Sequence, residues 1–64
     1  MSEHCVIEVW GQPAGVLIQE QQRFRFFAVS YLYSTLDGSS YSTRGHARLA
    51  AIRLRREAMA RSVP

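Results

Sequence analysis

RGHARLAAIRLRREAMAR, residues 44–61, decides the architecture. It is built mostly from alanine, arginine and leucine, all good helix formers, and Ser42 or Thr43 stands before it as a candidate N-cap. This composition predicts a helix over about residues 43–61, stopped by Ser62, Val63 and Pro64, because proline cannot continue the hydrogen-bond pattern. At about 100° per residue, Ala47, Ala50, Ala51, Leu54 and Ala58 share one stripe of mostly small side chains. Leu49, Ile52 and Met59 form a second stripe, and Arg44, Arg48 and Arg55 lie in the sector between the two. Alanines let a helix lie close to a sheet. Packed that way, the chain would turn Leu49, Ile52 and Met59 outward, where a symmetric helix-to-helix dimer would bury them. The alternatives are a sheet curled around both stripes, or the larger residues on the sheet with the alanines in water.

Ahead of the helix, RFRFFAVS (residues 23–30) alternates, with Phe24, Phe26 and Ala28 on one face and Arg25, Phe27 and Val29 on the other. Its three rings within four residues mark it as the centre of a sheet. Residues 5–10 alternate in the same way, Cys5, Ile7 and Val9 against Val6, Glu8 and Trp10, and read as a first strand. Between them, Gly11-Gln12-Pro13-Ala14-Gly15 supplies a fixed φ and two permissive glycines, so the chain is expected to reverse there and return as a strand over residues 16–20. Glu20-Gln21-Gln22 is a second short connection. Tyr31 to Ser40 has strand composition without a clean period, and Asp37-Gly38 is a turn signal, which leaves room for a short fourth strand near residues 36–41. The expected fold is therefore α+β: a three- or four-stranded antiparallel meander packed against one C-terminal α-helix, a single small domain over residues 1–64.

Length sharpens this expectation. A domain of about 60 residues buries only roughly 60% of the surface its unfolded chain exposes, so such folds lean on disulfides, a metal or self-association. Cys5 is the only cysteine, and one thiol beside His4 is too few ligands for a structural zinc site, which needs four. Self-association is left, and a homodimer is the expected partner state. No apolar run approaches the roughly 20 residues that span a bilayer, and the N-terminus has no basic segment followed by an apolar one. The expected setting is the cytoplasm, without a membrane partner.

Charge is concentrated in the helix. Arg44, Arg48, Arg53, Arg55, Arg56 and Arg61 with Glu57 give residues 44–61 a net charge of +5, while the two arginines and four acids elsewhere give −2. All eight basic residues are arginine. That choice suits bidentate anion recognition, and equally it follows from a GC-rich genome. Nucleic-acid binding through Arg44, Arg48, Arg53, Arg55 and Arg56 is the alternative function, with Phe24, Phe26, Phe27, Tyr31 and Tyr33 as conceivable stacking platforms. Against it, the arginines surround much of the helix and the rings are needed for the core.

Catalysis has little to work with. Cys5 and His46 are the one conceivable nucleophile and base, on different elements, and Glu3, Glu8, Glu20, Asp37 and Glu57 show no spacing that pairs carboxylates. No catalytic, cofactor or metal residue is assigned. Hydroxyls and arginine at the helix start, Gly38 to Arg44, lie beside free N–H groups, but they lack the Gly-x-x-x-x-Gly-Lys pattern and are explained by capping.

Phe24-Arg25-Phe26 followed by Leu36, Asp37-Gly38, Tyr41-Ser42, Ala47 and Ala51-Ile52 resembles the pattern of small uncharacterised bacterial strand-strand-helix proteins, including the YegP-like family, over residues 23–54. The resemblance implies a compact sheet and helix, often as a repeat or a dimer, and no known activity. The expected function is that of a small non-enzymatic interaction module that self-associates through the C-terminal helix at Leu49, Ile52 and Met59.

Overall fold

A computed structural model describes residues 4–62. β1 (His4–Val9), β2 (Gln12–Glu20) and β3 (Arg23–Ala28) are followed by a 3-10 segment (Tyr31–Leu36), β4 (Ser40–Tyr41) and α1 (Arg44–Ser62). The strands form one antiparallel sheet in the order β1-β2-β3-β4. This is the expected meander on a C-terminal helix, with the fourth strand present and only two residues long. The expected stop at Val63 and Pro64 lies outside the described residues.

The first hairpin turns more tightly than the sequence suggested. Trp10 and Gly11 both have positive φ, 52° and 78°, as a two-residue type I′ turn requires, and Val9 pairs directly with Gln12. Gln12 to Gly15 are therefore strand, not loop. The register shifts between Ile7 and Glu8, where Ala14 is the extra residue of a bulge. Pro13 is tolerated because β2 pairs with β3 only from Gly15 onward, so no ladder bond to β3 is lost at the proline. Gly15, expected as a turn residue, sits inside β2, where its use is space.

One face of the sheet is covered. Cys5, Ile7 and Val9 from β1, Leu17 from β2 and Phe24, Phe26 and Ala28 from β3 all contribute to the core or pack against it, so the residues that alternation grouped on one face of β1 and of β3 do share a face. Ala47 and Ala51 of α1 are fully buried on this face, and Leu54 packs beside them. The small stripe thus faces the sheet, because alanine lets the helix approach where Phe26 and Leu17 already fill the space. Tyr33, in the 3-10 segment, closes the remaining side of the core and is 1% exposed.

Asp37 and Gly38 do the work of a longer β4. The Ala28 N–H donates to Asp37 Oδ1 at 2.9 Å, the Gly38 N–H to the Phe26 carbonyl at 2.8 Å, and the Phe26 N–H to the Ser39 carbonyl at 2.8 Å. Ser39 Oγ also donates to the Leu36 carbonyl. The far side of β3 is satisfied by a turn in place of a strand.

Candidate interaction surfaces

Thr43 is the N-cap of α1: its Oγ1 accepts the His46 N–H at 3.1 Å. Ser42 Oγ lies 3.1 Å from His46 Nδ1, so both hydroxyls are committed to the helix start. Arg44 does not hang free at the dipole's positive end, since its guanidinium carbon lies 5.9 Å from the centre of the Phe24 ring. Cys5 and His46 share no hydrogen bond, and among the described residues no group of three His, Cys, Asp or Glu side chains is placed to hold a metal. No described helix is long and apolar enough to cross a membrane.

The helix leaves part of its apolar surface uncovered. Leu49 is 44% and Met59 48% exposed, while Ile52 is less exposed and packs against the core. The expected outward stripe is therefore divided, with Ile52 leaning on the core between two exposed ends. Past Leu54, none of the described apolar helix residues belongs to the core cluster, although Arg55 still stacks over Trp10. The molecule is long, 46 × 17 × 16 Å.

The five arginines proposed for nucleic acid do not form one surface. Arg44 and Arg48 line a groove of about 370 Å³ with Cys5, Val6, Ile7, Glu8 and Gly45. Arg55 lies further along the same side, its guanidinium carbon 5.3 Å from the centre of the Trp10 ring. Arg53 and Arg56 fall on other sides of the helix by their spacing. Among the described residues the ion pairs are Arg25 with Glu20 at 2.7 Å and Arg61 with Glu57 at 3.4 Å. Of the rings considered for stacking, Phe26 and Tyr33 are buried, Phe24 lies under Arg44, Phe27 is on the sheet face opposite the helix, and Tyr31, at the start of the 3-10 segment, is 92% exposed.

That opposite face is a surface the sequence reading did not single out. Val6, Val16 and Phe27 form one row across β1, β2 and β3, and Ile18 lies beside them, with Val6 53% and Phe27 38% exposed. The row is bordered by the Glu20–Arg25 pair and by Arg23, which donates from Nε to Ser40 Oγ at 2.7 Å. The signal was available: all three long strands carry apolar residues at both parities, which a one-sided sheet does not need.

The free edge of the sheet is β1. Both long hairpins close on residues flanking a two-residue turn, Val9 with Gln12 and Glu20 with Arg23, and such a pair exchanges both backbone bonds. Counting by twos, Cys5, Ile7 and Val9 bond to β2, so His4, Val6 and Glu8 direct their N–H and C=O groups away from the sheet. β3 obeys the same parity, since Phe26 and Ala28 turn their N–H groups to the Ser39 carbonyl and the Asp37 carboxylate.

Compared with family models, with curated proteins and with solved structures, the chain matches none. The class is set by the architecture alone: an open four-stranded antiparallel meander with one face under a single basic helix.

Proposed function

We propose that the protein is a small non-enzymatic interaction module that self-associates through α1, with Leu49, Ile52 and Met59 at the contact. The observation that carries this reading is the position of the alanine stripe. With Ala47 and Ala51 fully buried against the sheet, Leu49 and Met59 keep nearly half of their surface exposed on another side of the helix. A second copy packed along that side would cover both ends of the stripe. Its arginines would keep their heads wet while their stems cover apolar surface.

Nucleic-acid binding through Arg44, Arg48, Arg53, Arg55 and Arg56 is the weaker reading, because Arg53 and Arg56 leave the helix on other sides than Arg44, Arg48 and Arg55, and Phe27 lies across the sheet from them. Light scattering behind a sizing column tests the first reading. The wild-type chain is expected near twice 7.3 kDa, and Leu49→Arg near 7.3 kDa with its circular dichroism unchanged. Phe27→Arg, on the far face of the sheet, is expected to leave the dimer intact. A dimer broken by Phe27→Arg and indifferent to Leu49→Arg would move the contact from the helix to the sheet.

A further inference from the structure

We infer that the groove between the β1 edge and α1 accepts an extended acidic segment of a partner protein as a fifth strand of the sheet. Three observations on β1 and α1 meet there. The first is the edge itself: His4, Val6 and Glu8 offer N–H and C=O groups outward, and β1 carries no proline or lysine, its one carboxylate, Glu8, sharing the parity of Val6 on the face away from the helix. Among the backbone hydrogen bonds made outside the regular elements none reaches β1, His4, Val6 and Glu8 are exposed, and the Val6 carbonyl meets only the Cys5 thiol at 3.7 Å.

The second is the groove of about 370 Å³ beside that edge, walled by Cys5 to Glu8 on one side and by Arg44, Gly45 and Arg48 on the other. The third is the match in length. Cys5 to Trp10 spans about 17 Å of strand, and Arg44 to Arg55 spans about 17 Å of helix. Because Arg44 lines the groove with Cys5 and Arg55 stacks over Trp10, the helix runs in step with β1 and sets its arginines along it.

These features specify the occupant. A strand laid on β1 would place alternate side chains on the two faces of the sheet. On the helix side they would meet Arg48, which is not ion-paired within the described chain, with Arg44 held over Phe24 at the end of the groove, so aspartate or glutamate fits there. On the other side they would extend the row of Val6, Val16 and Phe27, so valine or isoleucine fits there. A second copy of this chain fits poorly by the same edge. Its own helix-side residues, Cys5, Ile7 and Val9, are uncharged, and it would bring a second set of arginines toward the first.

The test uses the full chain and a peptide of about seven residues with alternating valine and glutamate and blocked ends, followed by two-dimensional amide spectra and hydrogen exchange. The peptide is expected to shift the Val6 and Glu8 amides and to slow their exchange, whereas the same peptide with lysine for glutamate does neither. Arg48→Glu is expected to weaken binding roughly tenfold or more. Val6→Pro removes an outward donor without touching the ladder to β2 and is expected to abolish binding; should that variant fail to fold, the exchange protection of Val6 and Glu8 in the wild-type complex decides instead. No binding at low salt, equal binding of the lysine peptide, or full affinity in Arg48→Glu overturns the proposal. So does a single-stranded oligonucleotide that binds where the acidic peptide does not, which would assign the arginines to phosphates.

Discussion

Phe26 lies over Gly15 across the β2–β3 ladder, so closely that a Cβ on the glycine would stand 2.7 Å from Cε1 of the ring and closer still to Cζ. The Phe27 carbonyl oxygen, also at 2.7 Å, closes the other side. Phe26 is fully buried between Leu17 and the helix alanines, so the ring has nowhere to go.

Gly15→Ala is therefore expected to cost about 1–3 kcal/mol by overpacking. Gly11→Ala offers the contrast: nothing lies within 4 Å of a Cβ there, and its φ of +78° alone sets a cost of about 1 kcal/mol. Urea unfolding of both variants reads the difference. Adding Phe26→Leu should recover part of the loss in Gly15→Ala and none in Gly11→Ala; recovery in both or in neither would show that the ring is not the obstacle.

Asp37 stands in for a strand that ends too soon, through the bond from the Ala28 N–H to its carboxylate. Asp37→Ala leaves that donor without its partner and is expected to lower stability by about 1 kcal/mol, with faster hydrogen exchange at the Ala28 amide. Asp37→Asn keeps an acceptor oxygen and should retain most of the protection. An unchanged exchange rate in Asp37→Ala would mean that water replaces the carboxylate without loss.

The close approach of α1 to the sheet depends on the size of Ala51. Ala51→Leu is expected to cost about 1–3 kcal/mol, a fall in melting temperature of at least 4 °C by the scaling of about 4–8 °C per kcal/mol for a domain of this length. Ala60→Leu, exposed past the end of the core, should leave it nearly unchanged. Equal melting temperatures for the two variants would show that the helix can lift away without penalty.

Much of this was legible in the residues. The alternation grouped Cys5-Ile7-Val9 and Phe24-Phe26-Ala28 each on one face, because strand side chains have a period of two whatever they pack against, but it did not say which face the helix covers. The arginine, alanine and leucine run named α1, and Asp37-Gly38 marked the turn before β4. Three things were not legible, each because it depends on what lies across from a residue. Gly15 reads as a turn glycine until Phe26 is placed on it, and Tyr33 has no period to reveal that it plugs the core. The split of Leu49, Ile52 and Met59 appears only once Ile52 meets that core.

By itself the sequence determined the class of the fold, the strand faces and the concentration of positive charge on one helix, since these follow from local periodicity and composition. Only the tertiary structure decided that the alanine stripe faces the sheet, that the sheet's far face stays open and that Arg44 and Arg48 stand beside the free edge of β1. Side chains distant in sequence share a groove only when the turns, the bulge at Ala14 and the close helix packing have fixed register and distance, and no local pattern records that.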